Sequence, residues 1–348
     1  MRVPLSWLRE YVDIPADASV DDVFEALVSV GFEEEEALSF EVTGPVVVGQ
    51  VLSFEAEPQS NGKTIRWCQV DVGESEPRGI VCGASNFFAG DKVVVSLPGA
   101  VLPGPFPISA RKTYGHTSAG MIASARELGI GEDHDGILVL GDLGLDPELG
   151  TDVREVLQLD ESAADINVTP DRGYALSMRG VAREYCHAVG AAFEDPALAL
   201  SEAAPAPTED AFPVVLADEA SIRGEQGCTR FATRVVRGID PSRPTPVWMS
   251  TRLRLAGMRS ISLPVDISNY VMLELGQPLH FFRHHREAAT GFTGGRCLNG
   301  GVQRQHVGLL GNVGNQLGDF TDLLRGFTQT LDPLGGFLDL VTDLVQDR

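Results

Sequence analysis

Any chemistry in this chain of 348 residues has to come from a few scattered side chains. Two basic pairs, Lys63 with Arg66 and Arg111 with Lys112, could grip phosphate oxygens; charges so placed also serve as plain solvated loop residues. His280 stands alone after the turn-forming run GQPL, and a lone imidazole is ordinarily a satisfied structural side chain. His284 and His285 adjoin, but no second ligand pair lies at metal spacing, so no metal site is expected. The five cysteines (Cys68, Cys82, Cys186, Cys228, Cys297) are odd in number, far apart and without a C-x-x-C pair. They read as reduced, mostly buried thiols rather than zinc ligands or a disulfide framework. The run GLLGNVGNQLG lacks both G-x-G-x-x-G and a following Lys-Ser/Thr, so it does not read as a phosphate loop.

The elements that must hold these residues can be read from periodicity. A hydrophobic share of 43% and a charged share of 22% suit a globular chain of two or three domains. The formal charge of -22 argues against general affinity for nucleic acid or anionic membrane. No apolar run approaches the roughly 20 residues of a spanning helix, and the start lacks the apolar core of a signal peptide, so the expected location is the cytoplasm. Residues 4 to 13 predict a short helix with Pro4 in its first turn. Ser19 followed by Asp22 predicts the N-cap of a second, with Val20, Val23, Phe24, Leu27 and Val30 as its apolar stripe and Gly31 as its stop. From about 40 to 150 the period becomes strand-like. GPVVVGQVLSF, TIRWCQVDVG, RGIVCGASN and GDKVVVSLPGAVLP are short Val/Ile-rich runs between turn residues, which fits a five-stranded barrel of the oligonucleotide-binding (OB) type. Gly83, Gly90 and Gly99 are expected to serve turns needing positive φ. Residues 177 to 192 return to helical spacing, with Met178, Val181, Tyr185 and Val189 on one face. Residues 198 to 210 read as a linker, GCTRFATRVVRGI as a strand, and PTPVWMSTRLRLAGMRS as a helix with Pro246 near its start and Gly257 at its end.

Several motifs then fall in one order: PLSWLREYV, VGFE, GQVLSFEAEP, CQVDVGE, IVCGASN, LPGAVLPG, SAGMIASARELGIGEDHDGILVL, DINVTPDRGYALSMRGVARE and TPVWMSTRLRLAGMRSISLPVDISNYVMLELGQPLH. Residues 1 to about 282 thereby resemble the amino-terminal portion of the beta subunit of bacterial phenylalanyl-tRNA synthetase. The resemblance implies a multidomain α+β chain. Residues 1–39 and 152–197 would form a helical/mixed domain, 40–151 an inserted OB-type tRNA-binding barrel, and 211–282 an incomplete B3/B4-type editing domain. It also implies an alpha-subunit partner that supplies the ATP and magnesium chemistry, phenylalanine tRNA as a weakly held partner, and no cofactor on this chain. DNA and membrane are not expected partners. Arg259 in GMRSI, Asn269 in ISNYV and His280 in GQPLH match positions that resemble the family's hydrolytic editing pocket, where Arg259 would meet a tRNA phosphate or ribose and His280 would orient water or ester. Lys63, Arg66, Arg111 and Lys112 are the expected tRNA contacts.

The pattern is broken in places. Ser262 stands where the family usually has aspartate, and Phe281-Phe282-Arg283 where it usually has A-F-D. Residues 283 to 348 contain twelve glycines and no lysine, and nothing in them reproduces the family's GG-x-x-GG-E segment. That change of character reads as a departure of the reading frame, or of the gene model, near Phe282; fusion to a small helical segment would also produce such a tail. The expectation is therefore a beta-type chain that charges no tRNA alone, with 210–282 poorly packed; a non-catalytic tRNA-binding or synthetase-interaction module is the alternative. The barrel carries seven Lys/Arg against fourteen Asp/Glu over residues 41–150, so its sequence-independent affinity for RNA should be weak.

Overall fold

A computed structural model describes residues 1–132, 134–198, 233, 235–240, 242–277, 279 and 281. The chain divides into two compact units, Met1–Ala203 with Pro241–Leu279, and Ala204–Asp240 with His280–Arg348. Nearly all described residues belong to the first. Of the strand expected over 227–239, Thr233 and residues 235–239 are described, and they form exposed irregular chain rather than a strand, with no strand to pair with among the described residues. The rest of that run, and the linker at 198–210 beyond Leu198, lie outside the described residues.

Before the barrel come β1 (Arg2–Pro4), α1 (Leu5–Leu8), α2 (Val20–Ser29) and β2 (Glu33–Ser39). The helix expected over 4–13 is only the single turn of α1. Beyond it Tyr11, Val12 and Ile14 are drawn into the core as irregular chain. At α2 the Ser19 side chain accepts from Asp22 N at 3.2 Å, and the Asp22 carboxylate accepts from Ser19 N at 2.8 Å. This reciprocal cap fixes the helix start, and Val23, Phe24 and Leu27 are buried along it. β2, with the sequence EEEEALS, has no apolar alternation to announce a strand. It forms because β12 (Ser162–Asn167) pairs between it and β1 in an antiparallel sheet, where its glutamates keep the exposed edge charged. Ser39 and Ser162 are register partners, so the chain leaves this sheet and returns to it at one point. The barrel is inserted there.

The barrel strands are β3 (Val46–Pro58), β4 (Thr64–Asp71), β5 (Arg78–Cys82), β6 (Lys92–Ser96) and β11 (Met121–Ile122), in the order β11-β6-β3-β4-β5. Closure comes from a short return: Ala119 N donates to Gly79 O on β5, and Met121 and Ile122 pair with β6. Val93 and Val95 point into the barrel with Val51, Cys68, Val70, Ile80 and Ile122. Val94 points outward with Val46 and Val48, under Leu102, Leu128, Leu140 and α3 (Val153–Leu157). A strand buried on both faces reads as an unbroken Val run, as KVVVS does. Gly49 is inside, where a Cβ would stand 2.6 Å from Val95 Cγ2. Gly90 and Gly99 have positive φ as expected; Gly83 does not, so its place rests on no such turn.

After β12 comes α4 (Met178–Val189), capped by the Ser177 side chain, with Met178, Val181 and Tyr185 buried. Val189 is 49% exposed, because it lies in the last turn beyond the core. α5 (Val247–Leu255) follows Pro246, and α6 (Leu263–Leu275) ends at Gly276. These two helices correct the expectation of poor packing over 210–282 for the part that is described. Leu253 is fully buried with Trp7, Leu27 and Met178, and Tyr270 stacks on Trp7 at 4.0 Å between ring centres. Their apolar faces thus complete the amino-terminal core, which the linear spacing did not reveal.

Candidate functional site

Barrels of this type take oligonucleotides on the face of their second and third strands and on the loops joining first to second and fourth to fifth. Here that face is β4 with β5. The first loop is the tip between β3 and β4, where Lys63 is exposed and its backbone N–H donates to Asn61 Oδ1 at 3.1 Å. The second runs from β6 to β11 and contains the hairpin of β9 (Arg111–Thr113) and β10 (His116–Ser118). Arg111 and Lys112 are both exposed there. Because side chains alternate along a strand, the two lie on opposite faces of the hairpin. Arg111 is partnered with Ser118 on one side and Lys112 with Thr117 on the other.

Arg66 does something else. It faces the barrel interior end, where its guanidinium donates to Phe87 O at 2.6 Å and Ser85 O at 3.1 Å. It also sits over the rings of Phe54 and Phe87, at 4.2 and 4.6 Å. Arg66 therefore plugs one mouth of the barrel and holds the 85–87 loop, and Lys63 and Arg66 do not face one ligand together. Arg78 pairs with Glu74, and Lys92 with Asp146. Among the described residues Lys63, Arg111 and Lys112 have no ion-pair partner, and the hairpin turns Arg111 and Lys112 to opposite sides.

An aromatic stack between the two loops has no signature in the sequence. Trp67 on β4 lies across Gly79 on β5 so closely that a Cβ there would stand 2.2 Å from the indole. His116 of the hairpin stacks on the indole at 4.3 Å with 14° between the planes. Its Nε2 donates to the Glu57 carboxylate, 2.9 and 3.1 Å from the two oxygens. Glu57 and His116 are 59 positions apart, and only barrel closure brings them together.

Of the residues expected in an editing pocket, Arg259 and Asn269 lie around the α5–α6 elbow. Arg259 is exposed in the loop between these helices, Asn269 is half-buried on α6, and His280 lies outside the described residues. The residue that organises the elbow is Asp266, which is fully buried. Its carboxylate accepts from Thr245 Oγ1 and Ser260 Oγ, both at 2.5 Å, and from Ile261 N at 2.9 Å. The loop that carries Arg259 is thus tied to the helix that carries Asn269. On the neighbouring side Arg252 donates to Glu10 at 2.5 Å and to the Tyr270 hydroxyl at 2.8 Å. Burial pushes the Tyr270 phenol well up, with Arg252 opposing it, and burial brings the Arg254 guanidinium down to about 10. Among the described residues no three His, Cys, Asp or Glu side chains converge to hold a metal ion.

The comparisons with known proteins follow this geography. Residues 46–144, the barrel and its loops, match the tRNA binding domain family, and residues 227–287, which contain α5 and α6, match the B3/4 domain family. Phenylalanine–tRNA ligase beta subunits of Leifsonia xyli, Thermobifida fusca and Bifidobacterium longum are 59%, 55% and 50% identical to this chain over 324, 286 and 302 residues. Over its amino-terminal part the chain is a homologue of phenylalanine–tRNA ligase beta subunits. The three relatives cover 88%, 80% and 80% of it, whereas it spans only 37%, 33% and 35% of them, about a third of their length. A share of 88% is more than residues 1–282, so the Leifsonia likeness, like the B3/4 match that ends at 287, runs past Phe282, the expected end of the resemblance. Among solved structures, the C-terminal domain of Plasmodium vivax p43 overlaps 22% of this chain and 43% of its own at 23% identity and a TM-score of 0.18, too slight a likeness to bear on the fold.

Proposed function

We propose that this chain acts as the tRNA-contacting, beta-type portion of a cytoplasmic phenylalanine-charging assembly, with the ATP and magnesium chemistry on a separate alpha-type partner. The observation that carries this reading is the placement of Lys63, Arg111 and Lys112 on the two loops that flank the β4–β5 face, within the stretch that matches the tRNA binding domain family. With Arg111 and Lys112 on opposite faces of the hairpin, so few cations in an acidic barrel make a weak contact. Titration of phenylalanine tRNA against salt should give a shallow dependence, with a log–log slope no steeper than about -3. Changing Lys63, Arg111 and Lys112 together to Ala should remove most of that binding. Tight binding that survives the triple change would overturn the reading.

The chain alone is expected not to charge tRNA. ATP-dependent charging by the purified chain, free of host enzyme, would show otherwise. The editing reading assigns Arg259, Asn269 and His280 to one pocket, the first two at the Asp266-braced elbow, but the family's glutamate-bearing glycine segment has no counterpart in 283–348. Ester hydrolysis needs its groups held closely, and a misplacement of about 1 Å costs on the order of a hundredfold. Hydrolysis of tyrosyl-tRNA should therefore stay near background. Robust deacylation that Arg259→Ala and His280→Ala both abolish would mean the pocket is complete.

A further inference from the structure

We infer that the stacked Trp67–His116 pair is a nucleobase platform, and that the exposed side of His116 receives the base of an unpaired nucleotide. The inference rests on the reading of the barrel as a tRNA contact and names the chemistry of that contact. Four observations carry it. The stack stands on the β4–β5 face, between the loop of Lys63 and the hairpin of Arg111 and Lys112. It is built in layers: the Gly79 backbone beneath, the indole on it at contact distance, and the imidazole parallel to the indole. The imidazole is held in plane by the two Glu57 oxygens, so its orientation is fixed before any ligand arrives. Finally, the His116 side chain remains 27% exposed. One ring face is covered by Trp67 and the Nε2 edge by Glu57, which leaves the far face or the Nδ1 edge for solvent.

A base landing there would extend an existing stack at little ordering cost. Stacking of this kind tolerates any base and needs few cations, which suits a face with so few. Lys63 at one end and Arg111, on the hairpin face that carries His116, at the other would then meet the flanking phosphates.

The test uses the full chain and labelled single-stranded oligouridylate, with an abasic oligonucleotide of the same length as control. His116→Ala should weaken oligouridylate binding about tenfold and leave abasic binding unchanged. His116→Phe, which keeps a flat ring but not the Glu57 bond, should retain most of the affinity. Thermal melting of each variant separates loss of binding from loss of fold. The inference is overturned if His116→Ala binds oligouridylate as the parent does, if it loses abasic and base-bearing binding alike, or if a folded His116→Phe loses as much as the alanine variant. Absence of binding by the parent to both oligouridylate and tRNA would instead overturn the tRNA-contact reading itself.

Discussion

Two arginines that look alike in sequence have different work in the fold, and the difference is measurable. Arg66 satisfies the carbonyls of Ser85 and Phe87 and covers two rings, so Arg66→Ala should destabilise the barrel by about 2–3 kcal/mol in denaturant unfolding. Arg66→Lys should recover only part of this, since an ammonium cannot present the flat fork that reaches both carbonyls. Lys63→Ala, at an exposed tip, should leave unfolding unchanged and affect RNA binding alone. Cys68 shows the same dependence on setting. Burial pushes its thiol up to about 12, with Cys82 adding to the rise. Native protein should leave Cys68 unlabelled by thiol reagents at mildly alkaline pH, and label it fast once unfolded; rapid native labelling at that position would contradict the packed barrel.

At the scale of elements, the α5–α6 elbow depends on one carboxylate. Asp266→Ala leaves Thr245 Oγ1, Ser260 Oγ and Ile261 N without their acceptor, at a cost of about 3 kcal/mol. Limited proteolysis should then cut the 256–262 loop, which in the parent should be as resistant as the barrel. Equal resistance in both would deny Asp266 its bracing role. Glu274 on α6 gives a pH signature of opposite sense to a salt bridge. Burial, and next the neighbouring Glu10, raise its carboxyl above the ordinary glutamate value. The folded chain then holds that proton more readily than the unfolded one, so stability falls as pH rises through the interval between the two values. Glu274→Gln should be more stable than the parent near pH 7, with the difference gone below about pH 4. A gain that persists at acid pH would point to packing instead.

For the whole molecule, local signals settled a good deal. The Ser19–Asp22 cap, the stop at Gly31, the Val-rich barrel strands and the Pro246 start of α5 depend on neighbours within a few residues, which is why spacing reveals them. The ordered motifs likewise pointed to the ligase relatives without any coordinates. The glutamate-rich β2 was not legible, because it is a strand only by virtue of β12, more than a hundred residues later. The burial of Leu253 and Tyr270 against Trp7 was not legible either, since it depends on the chain returning to its own beginning. The same holds at the candidate site. The sequence supplied the basic residues and the barrel that carries them, whereas tertiary structure turned Arg66 into a plug, separated Arg111 from Lys112 across a hairpin, and set Glu57 against His116 and Trp67. Residue type and local period fix most elements, though not β2 or the length of α1. Which side chains meet is fixed by closure of the sheet, and that joins residues whose separation along the chain carries no information about their contact.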